Sequence, residues 1–414
     1  MVTPHRSRRL LAHTTAALVL AASFAVPAAY SAATTGDPTV LSPPEPTGPH
    51  AVGRTEVHLV DPSRGHPWME GADERDLMVD LWYPAEPAPD AEPAPYLSPS
   101  AASALSRGLD KAGVPRGAVD AEAATANAFP DAPVTGGPDR LPVILYSPGF
   151  GESRSTNAVL LEELASHGYL VVAVDHVYET PAVDLPDGRV LRLNFPDKET
   201  DTYREAIAVR TLDTRFVLDS LTGGALLPPY LEEAADTGTV GMFGHSAGGL
   251  TTAETMLVDD RIAAGANLDG STAYHVSDEA WADVTTRGVE RPFLYFGAGL
   301  SGADLPHTSR HHRDLQLFRE ASTGPFLELY MADGEHRSFS DDQWALPVLE
   351  AEHGLSGRSW EQRTAQGIGQ VDPEASIAAQ RAYLLAFFDA NLRGTEEPLL
   401  EGPSPEHPVV EFVD

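Results

Sequence analysis

Thr239-Val-Gly-Met-Phe-Gly-His-Ser-Ala-Gly-Gly249 decides the reading of this chain, because it sets a glycine-flanked serine directly behind a short apolar run. Thr239 to Phe243 has the composition of a buried strand, and the residues beyond Gly249 fall into helical spacing. A strand that turns at once into a helix leaves no room for a β-carbon at its tightest points, which accounts for the glycines. Such a turn exposes the Ser246 hydroxyl at the sheet edge, where the helix N-terminus favours developing negative charge. A bare G-x-S-x-G is common by chance. Held between a buried strand and a helix, it reads as a nucleophile position.

A serine hydroxyl at its ordinary pKa is a poor nucleophile, so it needs a base and a third group to orient that base. Of the fifteen histidines, His336 in Asp333-Gly-Glu-His-Arg-Ser-Phe339 follows a late apolar run ending at Met331. The chain order serine, acid, histidine puts the base there. His307, His311 and His312 lead into a helical segment and read as solvated surface residues. Two acids suit the third position: Asp269 in Asn267-Leu-Asp-Gly270, and Asp304 after the run Pro292 to Phe296. Position alone leaves them open. The N–H of Ala247 is the expected first oxyanion donor, and Phe150 in Ser147-Pro-Gly-Phe-Gly151 the second, its ring also lining the acyl pocket. Asp341 and Asp342 read as solvated loop acids rather than calcium ligands, so neither metal nor organic cofactor is expected.

Outward from this centre, apolar runs alternate with helical patterns. Thr55 to Val60 and Leu77 to Tyr83 alternate apolar and polar residues, and Pro84 should end the second. Leu141 to Tyr146 and Tyr169 to Val174 are continuous apolar runs, the mark of strands buried on both faces. Ile262 to Leu268, Pro292 to Phe296 and Phe326 to Met331 supply more strands, and Asp187-Gly188 suggests a small hairpin. Helices are expected over Ser155 to His167, over Thr202 to Leu221, and from Pro373 to about Leu392, the last capped by Asp372 and stopped at Gly394. This order implies a mostly parallel central sheet with helices on both faces, the α/β-hydrolase fold, as one domain over 51–414. The Pro/Ala-rich stretch 85–140, with one helix near Ala101 to Ala112, reads as an excursion over its surface.

His5, Arg6, Arg8 and Arg9 precede a run of small apolar residues from Leu10 to Ala29, so 1–33 reads as a cleavable secretory signal, with Sec or twin-arginine export. The Pro- and Thr-rich segment 34–50 should be a disordered leader. The 414 residues carry a formal net charge of −33, and loss of Arg6, Arg8 and Arg9 brings it to about −36. Such a chain repels nucleic acid and anionic surfaces. Zero cysteines excludes disulfides and thiol catalysis. No further apolar stretch reaches membrane length, so no stable membrane insertion is expected, and the sequence does not set the oligomeric state.

Taken together, several segments resemble the platelet-activating factor acetylhydrolases and their bacterial lipase-like relatives. They are Tyr146-Ser-Pro-Gly-Phe-Gly151, Leu164-Ala-Ser-His-Gly168 with Val172-Ala-Val-Asp-His176, Gly244-His-Ser-Ala-Gly-Gly249, Asn267-Leu-Asp-Gly270 and the His336 segment. The Leu-Asp-Gly about two dozen residues beyond Ser246 is the most discriminating of them. The resemblance implies Asp269 rather than Asp304 as the acid, with Ser246 the nucleophile, His336 the base, and Phe150 and Ala247 the oxyanion donors. It implies a secreted serine ester hydrolase acting on short-acyl phospholipid or other small esters. Pro148 stands where the animal enzymes carry a histidine, and Ala247 replaces a bulkier residue. The first departure is similar to actinobacterial lipases and cutinases, which keeps longer acyl esters and polyesters as an alternative substrate class. An inactive binding protein on the same scaffold is the remote alternative.

Overall fold

Alternate residues of the central strands are buried on opposite faces of one sheet. Val143, Leu145, Val172, Val240 and Met242 belong to one apolar cluster, and Ile144, Tyr146, Val171 and Phe243 to a second. Helices Thr200–Thr222 and Ala247–Val258 close the first face, and helices Ala158–Ser166 and Pro373–Phe388 close the second. With both faces covered, the strands need not alternate in polarity, which is why they read as continuous apolar runs.

The structure is a computed structural model that describes residues 37–135, 140–197, 199–275, 279–299 and 305–414. Its strands are β1 (Ala51–Asp61), β2 (Arg75–Ala85), β3 (Ala128–Pro130), β4 (Leu141–Ser147), β5 (Leu170–Asp175), β6 (Ala182–Asp184) and β7 (Val190–Arg192). They continue as β8 (Ala235–His245), β9 (Ile262–Leu268), β10 (Ala273–His275), β11 (Ala280–Trp281), β12 (Phe293–Gly299), β13 (Phe326–Glu335) and β14 (Val410–Phe412). The main sheet has the order β14-β13-β12-β9-β8-β4-β5-β2-β1-β3, while β6–β7 and β10–β11 are separate two-stranded pairs. Neighbours from β5 through β13 pair in parallel, with β2 and β14 antiparallel at the margins. This is the α/β-hydrolase fold. The chain leaves β4 on one side to form β5 and returns on the other as β8. That reversal opens a crevice at the carboxyl ends of β4 and β8, where open α/β sheets bind ligands.

Three expectations change. The signal segment 1–33 lies outside the described residues, but 37–50 is fastened rather than loose. Leu41 is buried, Thr47 N–H donates to Glu163 at 2.9 Å, and Arg381 holds the Pro44 and Glu45 carbonyls at 2.9 and 3.0 Å. Pro84 does not end β2; it sits inside it, in register with Val52 of β1. The excursion also does more than cross the surface: its helix Pro99–Ala112 packs Ala102 and Leu109 against Trp344 and Trp360, and β3 joins the sheet beside β1.

Beneath the β1–β2 end lies a charged cluster. Asp80, fully buried, accepts from Arg54 at 2.6 Å and from Arg154 at 2.7 Å, and Arg154 also pairs with Asp175. Burial opposes the Asp80 charge, but the two guanidinium groups outweigh it and keep the carboxyl below its usual range. Removing one partner strands the others in a dry site. Asp80→Ala is therefore expected to destabilise the fold by roughly 3–5 kcal/mol, seen as a lower urea midpoint at unchanged slope; a loss below about 1 kcal/mol would show the cluster to be solvated.

Candidate active site

Ser246 stands where β8 ends and helix Ala247–Val258 begins, with φ 55° and ψ −118°. A residue with a β-carbon adopts that conformation only under constraint. The constraint is close contact: a β-carbon on Gly248 would collide with the Ser147 carbonyl oxygen, and one on Gly244 with the Gly248 backbone. The Ser246 N–H donates to the Leu268 carbonyl at 2.9 Å. Residues 240–245 and 247–253 are all buried, and Ser246 alone among them reaches solvent.

His336 follows β13 in a short turn, His336–Phe339, held where Ser338 donates to the Ile368 carbonyl at 2.8 Å and Gln380 donates to the Ser338 carbonyl at 2.8 Å. Its Nδ1 lies 2.6 Å from Asp269 Oδ2 and its Nε2 3.0 Å from Ser246 Oγ. A carboxylate only accepts, so Nδ1 carries the proton and Nε2 of the neutral ring accepts from the serine hydroxyl. Asp269, at the end of β9 with φ 55°, is fully buried. Burial opposes its charge, but His307 and His336 outweigh it and hold the carboxyl well below the usual range. For His336, burial and the nearby His245 and His307 outweigh the pull of Asp269, leaving it below the ordinary histidine value.

The structure thus brings Ser246, His336 and Asp269 into one hydrogen-bonded chain. Asp304 lies outside the described residues. His307 corrects the surface reading: it is 1% exposed, with Nδ1 2.9 Å from Asp269 Oδ1. Asp341 is not a solvated acid either. It is buried, accepts from Tyr96 at 2.7 Å and from the Ala158 N–H at 2.9 Å, and burial pushes its carboxyl up to about 6.

The Phe150 turn follows β4, opposite the start of helix Ala247–Val258, whose first N–H groups have no intrahelical acceptor. Arg210, fully buried, donates to the Pro148 carbonyl at 2.7 Å and to Glu179 at 2.7 Å, fixing the turn from below. Glu152 accepts from the Gly149 N–H at 3.0 Å and from His245 Nδ1 at 3.1 Å, and His245 Nε2 donates to the His336 carbonyl at 3.0 Å. One bonded path therefore joins the turn, the residue before the serine, and His336. Beneath it, His176 Nε2 accepts from Ser147 Oγ at 2.9 Å while its Nδ1 donates to Asp213 at 3.0 Å. A file of rings runs outward from Phe150: Phe195 at 4.5 Å, then Trp68 at 4.7 Å beyond it, with Tyr203 at 6.1 Å on the other side.

Among the described residues, no group of three or more histidines and acids could hold a metal ion, and no helix is long and apolar enough to cross a membrane.

Fold and site together define a class, the α/β-hydrolases equipped with a serine–histidine–aspartate chain. The solved structure of a ferulic acid esterase from Streptomyces cinnamoneus is 34% identical, with a TM-score of 0.71 over 91% of this chain and all of that one. The chain belongs to the family of platelet-activating factor acetylhydrolases and bacterial lipase-like α/β-hydrolases, a family of carboxylic ester hydrolases. The family model for platelet-activating factor acetylhydrolase, isoform II, matches residues 38–184, the part of the chain that holds the Phe150 turn. A probable 1-alkyl-2-acetylglycerophosphocholine esterase of Arthroderma benhamiae is 26% identical over 289 residues, 66% of each chain. A platelet-activating factor acetylhydrolase of Cavia porcellus is 26% identical over 163 residues, 32% of this chain. The matches span just under two thirds of the fungal relative's length and 35% of the guinea-pig protein's.

Burial would raise the Glu152 carboxyl, but His245, with Arg337 and His336 behind it, pulls it down to about 2. A depressed carboxyl adds stability above its unfolded value near 4.5 and loses it as the pH falls towards 2. Glu152→Gln is expected to cost roughly 1–3 kcal/mol at neutral pH and to flatten the fall in melting temperature across that window. An unchanged acid slope would count against the Glu152–His245 link.

Proposed function

We propose that this esterase is secreted and works through an acyl-enzyme on Ser246, with short-acyl phospholipid or other small esters as substrates. The hydrogen-bonded chain Ser246–His336–Asp269 carries the reading. His336 takes the hydroxyl proton as Ser246 attacks the ester carbonyl, and Asp269 steadies the imidazolium that forms. The N–H groups of Phe150 and Ala247 receive the oxyanion, and the alcohol leaves with the proton from His336. Water then attacks the acyl-enzyme by the same route and releases the acid. Secretion rests on the basic start and apolar run of residues 1–33.

A second reading of the acyl group has its own support. The ring file Trp68–Phe195–Phe150 offers edges and faces suited to an aromatic acyl group, and the relative from Streptomyces cinnamoneus is a ferulic acid esterase. Hydroxycinnamoyl esters therefore belong among the small esters to be tried. A panel of p-nitrophenyl acetate, long-chain p-nitrophenyl esters, a short-acyl phospholipid, methyl ferulate and polyester film ranks the classes by kcat/KM. Preference for the long chains or the film would favour lipase or cutinase chemistry instead.

Ser246→Ala is expected to lower kcat by about 10⁴-fold or more and to abolish labelling by a fluorophosphonate probe. Near-full activity in that variant, or labelling at another residue, would sink the assignment. Since the neutral form of His336 is the base, activity should fall as the pH drops through its pKa. The acid limb of kcat/KM is expected below the ordinary histidine value, because burial disfavours the charged ring. An acid limb above pH 7 would contradict it.

A further inference from the structure

Asp269 is met by two imidazoles, one on each oxygen. His336 Nδ1 lies 2.6 Å from Oδ2, and His307 Nδ1 lies 2.9 Å from Oδ1, which also accepts the Ala298 N–H at 2.8 Å. We propose that His307 is a positioning residue of the reaction: it holds Oδ1 so that Oδ2 faces His336, and its positive charge restrains the basicity that Asp269 confers on the base. The inference rests on the Ser246 reading and deepens it.

The geometry supports both parts. His307 is fastened on every side: its N–H donates to the Ala298 carbonyl at 2.8 Å, Tyr295 Oη lies 3.0 Å from Nδ1, and Ser271 Oγ lies 3.2 Å from Nε2. A ring so placed fixes the carboxylate plane, because a turn of Asp269 about its side-chain bonds would break contacts on both oxygens. An imidazolium donates from both nitrogens, to Asp269 and to Ser271, with Tyr295 Oη beside the first of these donors.

The charged and titratable groups around the ring point the same way. Asp269 closes β9, Tyr295 lies on β12, Glu328 on β13, and Asp314 in helix Arg313–Ala321, while His336 faces it across the carboxylate. The His312 ring is 4.7 Å away; burial and the neighbouring His307 push it down to about 4, so it stays neutral. Burial alone would drive His307 towards neutrality as well. Asp269 in direct contact, with Asp314 and Glu328 behind, outweighs it and lifts the ring above the ordinary histidine value. A cation on one side of Asp269 takes up part of the field that His336 would otherwise receive.

A ring that merely fills space would change stability when removed, and leave the pH profile of the chemistry where it was. His307→Asn keeps an N–H near Oδ1 without a charge, and His307→Ala removes both. On a p-nitrophenyl ester, both variants are expected to move the acid limb of kcat/KM upward by about half to one pH unit. The alanine variant should lose about 30- to 100-fold in kcat with KM within about threefold, the asparagine variant about tenfold or less. If the alanine protein does not fold, the asparagine protein still carries the pH readout. A folded variant with the wild-type acid limb, or a loss confined to KM, overturns the proposal. Activity that disappears in Ser246→Ala but is unaltered by both His307 changes defeats this inference alone; activity that survives Ser246→Ala defeats the reading beneath it.

Discussion

The contact between the Gly248 backbone and the Ser147 carbonyl is the constraint on which the rest of the site depends. It sets the helix after β8 against the end of β4 with no space for a side chain. The same approach forces Ser246 into its rare backbone conformation and lifts its hydroxyl out of an otherwise buried segment. It also fixes where the Phe150 turn stands relative to that hydroxyl, since the turn begins one residue after Ser147. The reversal of strand order at β4 supplies the crevice, and the glycine contact decides how narrow it is.

A contact made by backbone alone needs support from both sides, and here the support is ionic and buried. Arg210 and Glu179 hold the turn from below, Asp213 and His176 anchor Ser147, and Glu152 ties the turn to His245. Buried charges of this kind add little net stability over apolar packing, but a missing partner is costly, so they favour one arrangement over its neighbours. The matched family segment 38–184 contains the turn, Glu152, His176 and Glu179, whereas Ser246, Asp269 and His336 all lie beyond it. Arg210 and His245 join the two parts.

The strands were legible because those buried on both faces are apolar runs, and residues 170–174 of β5 are buried and apolar at every position. The elbow was legible because its glycines answer a steric need that any sequence must meet. His307 was not. Its neighbours His311, exposed, and Arg313 give the segment a solvated look, and nothing local announces that the chain bends back to pair Pro306 with Gly299 and drive one ring inward. Asp341 misled in the same way, since its partners Tyr96 and Ala158 are far away in sequence. Arg210 and Asp213 did leave a signal. They fall on the same helical stripe as Ala206, Ile207, Val217 and Leu218, and a charged residue on an apolar stripe is a buried, paired one. The 37–50 segment misled by composition: prolines and threonines suggest disorder, yet they lie along the surface because Glu163, Ser166 and Arg381 offer partners for their backbone groups.

His336 shows how these parts combine. A base that must take a proton and then return it works best with an affinity neither high nor low. Asp269 raises that affinity, by charge and by hydrogen bond. Three effects lower it: burial, His307 on the far side of the carboxylate, and His245, whose ring lies 4.7 Å from that of His336. Both nitrogens of His245 face acceptors, the Glu152 carboxylate and the His336 carbonyl. The residue preceding the nucleophile therefore does two jobs, bracing the turn through Glu152 and holding the His336 backbone through its carbonyl. An apolar residue there could fill the volume, but it would break the link from Glu152 to the His336 carbonyl, leaving Glu152 to the Gly149 N–H and Arg337.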